Sequence, residues 1–362
     1  MKRTLLAFAL LFVASCSTQK QNQVSQIEPE QTSVKYKETG SKKRFTNLYP
    51  GEKEYPLTCK EDCYPASPKV TCEQPKENCV YTAEQKPPEV AANFEIQWLG
   101  HASFHITAPN GESILFDPVS QQFDWPVNWG FRITQGFNRN EPNWKNEQEL
   151  ADVDAVLYSH IHYDHFNKDD IATMGTKPEY YTPLGFAEHF EENGYRINEM
   201  AWYAQSKVKS LNLHFVPAHH FSSRIWVPFI YEDQNMTLWG GWVLEQNGKK
   251  LFFAGDTGYS KHFQDINERY GAMDICLIPV ASYFHEEHTK WYRYVHTTPE
   301  DALVAAGELE CKVMIPWGYG NNSWKMGDKS SHSPLLRLLK MHEEHTPELP
   351  LYILNEGEKV RL

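Results

Sequence analysis

"SHIHYDHFNKDD", residues 159–170, places His160, His162, Asp164 and His165 within six consecutive positions. It follows "AVLY" (155–158), an apolar run of the kind that forms a buried strand. The strand thus delivers four ligand-type side chains as it ends. His160 and His162 lie two apart and point to the same side of an extended chain. Asp164 and His165 come where the chain must turn towards 167–173, and as neighbours they face differently. That spacing suits two nearby ions better than one. Imidazole and carboxylate are what Zn²⁺ and similar divalent ions take.

Such a centre needs donors from other strand ends, and the sequence supplies them. "FVPAHHFSSR" (215–224) ends an apolar run with His219 and His220. "LFFAGDTGY" (251–259) ends another with Asp256 in a glycine-flanked turn. A carboxylate buried after "LFFAG" requires a partner, because an unpaired buried charge is very costly.

Around these motifs the chain reads as strands followed by strands alternating with helices. Strands are expected at 94–99, 103–107, 113–116, 155–159, 211–217, 237–244, 250–254, 275–280, 312–315 and 352–354. Helices are expected at 184–193, 261–270, 299–309 and 335–344. In the third, Thr298 can cap and Pro299 suits the first helical position. The mix implies an α/β fold with sheets covered by helices.

The N-terminus bears on where the chain works. Lys2 and Arg3 precede a short apolar run, then Ser15 and Cys16, the pattern of a secretory signal. The run is shorter than the roughly 20 residues of a membrane-spanning helix. "VASC" (13–16) resembles a bacterial lipobox, which implies cleavage before Cys16 and its acylation. Ser17, rather than Asp, follows, and the usual sorting pattern then implies the outer membrane, facing the periplasm. The expected organisation is a signal peptide (1–16), a polar flexible tether (17–45), a small Cys-rich segment (46–92) and one large domain (93–362).

Cys59, Cys63, Cys72 and Cys79 suggest two disulfides in an oxidising compartment; a zinc knuckle is the alternative, without a C-x-x-C pair to support it. Cys276 and Cys311 sit in apolar runs and read as small buried hydrophobes. The net charge of -12, with no basic cluster in the body, argues against a nucleic-acid partner.

The motifs together resemble the metallo-β-lactamase superfamily, in its N-acyl-phosphatidylethanolamine phospholipase D-like branch. The resembling stretches include "WLGHAS" (98–103), "LFDPVS" (115–120), "DAVLYSHIHYDH" (154–165), "VPAHHFSSR" (216–224), "FFAGDTGY" (252–259) and "HTTPEDAL" (296–303). The resemblance implies an αββα sandwich with metals at one edge of two sheets. Carried over by position, His160, His162 and His220 resemble the ligands of a first ion, Asp164 and His165 those of a second, and Asp256 the bridge. His219 should point away. Asp117 resembles a carboxylate that orients a ligand histidine; a turn Asp before Pro118 is the alternative. His101 falls near the metal edge without a ligand role. Arg224 resembles a residue of the site wall that offers charge to an anionic substrate; a surface salt bridge is the alternative.

The implied chemistry is hydrolysis by a metal-held hydroxide, with Asp164 orienting it or taking its proton. The resemblance tilts the substrate to a lipid-like phosphodiester, brought to a membrane-anchored enzyme. An aromatic-rich insert (121–144) carries Trp125, Trp129 and Trp144, which either shape the substrate pocket or are buried over the sheet. One departure stands out. The family follows its last strand with "HWG"; here the stretch is "MIPWGYG" (314–320), with Pro316 at the ligand position. The expectation is therefore one tight Zn²⁺ or other divalent ion, with a second weak or absent. His296 is the first substitute ligand, and His285, His288 and His332 are others. A catalytically weakened metal-binding lipoprotein, acting as a binding module, is the alternative function.

Overall fold

The computed structural model describes residues 21–29, 34–39, 42–55, 59, 61–73, 78–120, 152–191, 193–224, 226–227, 231–284, 289–321 and 331–362. Cys16, the aromatic insert, His285 and His288 lie outside the described residues.

Two sheets face each other. The first has eight strands in the order Gln23–Ile27, Arg196–Met200, Glu179–Pro183, Ala155–Leu157, Ser113–Phe116, Ser103–Thr107, Glu95–Gly100 and Lys359–Arg361. The second has six: Gln205–Val208, Leu211–Val216, Gly241–Gln246, Lys249–Phe253, Ile275–Pro279 and Met314–Trp317. Alternation along the first sheet explains its two faces. Ile96, Trp98, Phe104, Ile114, Phe116 and Leu157 enter the core shared with the second sheet. Leu115, Val156, Tyr180 and Ile197 point the other way, under Ile171 and Met174 of α1 (Lys168–Met174).

The second sheet carries α2 (His262–Tyr270), α4 (Pro299–Glu308) and α5 (Ser333–His345), while α3 (Thr289–Val295) meets His219 and His220 at the sheet edge. Phe263 and Ile266 of α2, Ala302 and Ala306 of α4 and Leu335 and Leu338 of α5 join its core. The layers run helix, sheet, sheet, helix, the αββα sandwich that the resemblance implies. As expected, Thr298 caps α4: its side chain accepts from the Asp301 N–H, and the Asp301 carboxylate accepts from the Thr298 N–H. Strands 113–116, 155–157 and 179–183 are parallel, as are 249–253, 275–279 and 314–317. Their carboxyl ends share one edge, where the ligand motifs begin.

Four expectations change. The stretch 17–45 is not simply a tether. Gln23–Ile27 extends the first sheet by pairing with Arg196–Met200, and Lys35–Thr39 pairs with Lys42–Thr46. An edge strand is held by its backbone ladder and needs little apolar surface, so composition alone misses it. The helix expected at 184–193 is a single 3-10 turn, Ala187–His189. Gly185 has φ +82, and a Cβ there would stand 2.7 Å from the Met236 carbonyl, which breaks the helical path at its start. Residues 352–354 form no strand; the terminal strand is Lys359–Arg361. Cys276 and Cys311 are not separate buried thiols but a disulfide with Cα atoms 6.0 Å apart, because the end of α4 returns beside strand 275–279. The other pairs are Cys59–Cys63 and Cys72–Cys79, the latter directly opposed across a hairpin.

Candidate metal centre

Strand 155–157 ends in Ser159 and His160, and the turn that follows brings His162 back beside it. His160 Nε2 and His162 Nδ1 are 2.8 Å apart, and His220 Nε2 lies 3.2 Å from His162 Nδ1. His220 is aimed by its other nitrogen, which donates to the Val295 carbonyl. Its backbone is clamped by Asn47, whose amide accepts from the His220 N–H and donates to the His220 carbonyl. Burial and the neighbouring imidazoles hold His160 and His220 well below the usual histidine range. Burial pushes His162 down to about 4, against the pull of the Asp164 carboxylate. Three neutral imidazoles therefore turn nitrogens to one point, the donor set of an open zinc-type site.

A second group adjoins it. His165 Nε2 lies 3.3 Å from Asp256 Oδ2 and 3.8 Å from Asp164 Oδ2. That nitrogen is buried and, among the described residues, not aligned for a hydrogen bond with any partner. Burial alone would raise Asp164 and Asp256, but the charge on His165 outweighs it, and both carboxyls are held well below their usual range. Conversely, burial alone would lower His165, and the Asp256 and Asp164 carboxylates lift it well above its ordinary value. Buried carboxylates demand positive charge, which comes from the His165 imidazolium or from a cation bound by neutral His165 in its place. The unaligned Nε2 between them fits a divalent cation.

Asp117 anchors both groups from below. Its carboxylate accepts a hydrogen bond from His165 Nδ1 at 2.7 Å and another from the Ser159 N–H. Ser159 Oγ bonds the same carboxylate and stands 2.9 Å from His160 Nδ1. Gly255 has φ +62, and a Cβ there would stand 2.6 Å from the Gly240 carbonyl and 2.8 Å from Ser159 Cβ. Only glycine lets the Asp256 turn approach so closely.

Other expected residues are placed as follows. His219 turns away, with Nδ1 donating to the Tyr294 carbonyl and its ring against Gly51. His296 Nε2 lies 3.3 Å from Asp256 Oδ2, on the His220 side. His332 is buried next to Tyr319 and joins none of the ligand clusters among the described residues. Arg224 is bonded to the motif loop rather than exposed in a surface salt bridge. It is buried; its Nη1 donates to the Ile161 and Phe166 carbonyls, and its guanidinium lies 4.0 Å from the centre of the Tyr163 ring. It buckles the motif loop from behind, because carbonyls left open by the turn need a donor more than the surface needs a charge. Sequence reasoning passed over Ser159 and Asn47, and it set His101 near the metal edge without a ligand role; His101 Nε2 lies 3.0 Å from Asp164 Oδ2. "GHA" at the end of a strand was the available signal for His101; Asn47 had none.

A cavity of about 510 Å³ opens beside His220, lined by Lys37, Asn47 and Tyr49 of the N-terminal segment and by Asn235 and Tyr294.

Residues 112–319 match a Beta-lactamase superfamily domain. An uncharacterized protein of Mycobacterium tuberculosis is 31% identical over 271 residues, 72% of this chain and 68% of its own length. The N-acyl-phosphatidylethanolamine-hydrolyzing phospholipase D 1 of Caenorhabditis elegans is 27% identical over 238 residues, 61% of this chain and 63% of that protein. Among solved structures, Igni18, a metallo hydrolase from Ignicoccus hospitalis, superposes with a TM-score of 0.52 at 21% identity, covering 75% of this chain and 98% of that one. With the ligand clusters at the shared sheet edge and these matches, the chain belongs to the beta-lactamase superfamily, as a metal-dependent hydrolase related to the N-acyl-phosphatidylethanolamine-hydrolyzing phospholipases D.

Proposed function

We propose that the protein is a phosphodiesterase of the bacterial envelope, tethered through an acylated Cys16. The observation that carries the chemistry is the adjacency of the His160, His162 and His220 cluster to the Asp164, His165 and Asp256 group. Divalent ions bound there would make water a nucleophile at neutral pH and offset charge on the attacking and leaving oxygens. The chain's own residues do the rest. Asp164, ionised at neutral pH, accepts a hydrogen bond from the attacking water. Asp117 and Ser159 hold His165 and His160 in orientation. The cavity beside His220 has the volume of a small-molecule site and offers Lys37 to an anionic group. The relatedness to a phospholipase D favours a lipid-like diester.

Disulfides support the envelope assignment. Cys59, Cys63, Cys72, Cys79, Cys276 and Cys311 are paired, as suits an oxidising compartment, and Cys16 is the seventh cysteine of the chain. Labelled palmitate should enter the wild type and not Cys16→Ser; label in both, or in neither, removes the anchor.

The catalytic test is hydrolysis of bis(p-nitrophenyl) phosphate by zinc-loaded protein, beside p-nitrophenyl phosphate and p-nitrophenyl acetate. Turnover of the diester about ten-fold or more above the other two is expected. A fully loaded protein that leaves the diester intact would overturn the reading. The binding-module alternative, which Pro316 favours, would then stand.

A further inference from the structure

We infer that His101 is a metal ligand in this chain and completes the second ion's protein shell, the place that Pro316 leaves without a donor. The inference deepens the proposed function and rests on it for the existence of a metal centre.

His101 Nε2 is 3.0 Å from Asp164 Oδ2. The donor atoms of His101, Asp164 and His165 all lie within 4.8 Å of one another. His165 Nε2 in turn is 3.3 Å from Asp256 Oδ2. With Asp256 beside His165, two imidazoles and two carboxylates are available to the second position, enough donors for a four-coordinate zinc-type site. The direction of approach fits as well. The His101 ring is edge-on to His165 and to Trp317, the residue after Pro316. His101 thus enters from the hairpin joining strands 95–100 and 103–107, over the end of the strand that carries Pro316.

The backbone gives an independent sign. His101 has φ +49, in the left-handed region, and its side chain is buried. A non-glycine residue there carries backbone strain. Glycine or asparagine would suit the turn, so the strain points to a use for this side chain. The turn is fixed by Trp98, whose indole N–H donates to the His101 carbonyl at 2.8 Å. His296 is the competing donor. It pairs with Asp256 at 3.3 Å, but its other cluster partner is His220, which sets it on the first ion's side.

The test uses metal alone, with no substrate, so its failure is separate from a failure of diester hydrolysis. Metal-stripped full-length protein is titrated with Co²⁺, followed by visible absorption and elemental analysis. Wild type should take two equivalents. His101→Gly should weaken the second by about 100-fold, at or beyond the upper end for loss of an outer-shell partner, and spare the first. His296→Ala should spare the second. Wild-type protein loaded with ¹¹³Cd and labelled with ¹⁵N-histidine should show scalar coupling between cadmium and His101 Nε2. Should His101→Gly fail to fold, His101→Asn, which tolerates the same backbone, replaces it, and the coupling needs no variant. Absence of that coupling means His101 only orients Asp164, and the inference is overturned. So does a second equivalent that depends on His296 instead of His101.

Discussion

Asp117 Oδ2 and the His165 Nδ1 it receives are 2.7 Å apart, and neither side chain is exposed to solvent. Burial raises Asp117, and its bonds to His165 and Ser159 offset only part of that. The pair fixes which His165 nitrogen faces the metal edge. Asp117→Asn keeps the volume and loses the charge. Metal affinity should fall about 10–100-fold, read by chelator competition, with little change in the circular dichroism spectrum. Unchanged affinity would mean that Asp117 only shapes the turn before Pro118.

Arg224 bonds two carbonyls of the motif loop from behind. Charge-assisted bonds are worth about 1.5–3 kcal/mol each. Arg224→Lys cannot span both carbonyls and stack on Tyr163, so urea denaturation should show a loss of about 2–4 kcal/mol. An undiminished stability with a raised KM would return Arg224 to the substrate wall.

How much could be read beforehand follows from the range of each signal. His160, His162, Asp164 and His165 are local, and the strand that delivers them is a plain apolar run. His220 and Asp256 were legible because glycine and proline mark the strand ends that present them. What composition and periodicity missed acts at long range. Asn47 meets His220 across 173 positions, through a segment whose polar residues read as unstructured. The Cys276–Cys311 bridge depends on how α4 returns to its strand. Arg224 looked like an anion binder because its charge is visible in sequence, whereas the carbonyls it satisfies are made by the fold.

His332 is buried, and burial pushes its imidazole down from 6.5 to about 4. The unfolded chain then binds a proton between those values that the folded chain does not. Stability from keeping His332 neutral is fully present above pH 6.5 and is lost as pH falls towards 4. The difference in unfolding free energy between wild type and His332→Gln should shift by about 3 kcal/mol against wild type from pH 7 to 4. Denaturation of metal-stripped protein at several pH values reads it, since other groups cancel in the difference. A pH-independent difference would show that His332 titrates alike folded and unfolded.

The central claim is that the buried cluster of His160, His162 and His220 holds metal. Elemental analysis of purified wild type beside the His160→Ala/His162→Ala double variant tests it most directly. The account predicts bound divalent metal in the wild type and loss of at least the first ion in a variant that keeps the wild-type circular dichroism spectrum. A folded double variant with the full wild-type complement of metal would contradict it.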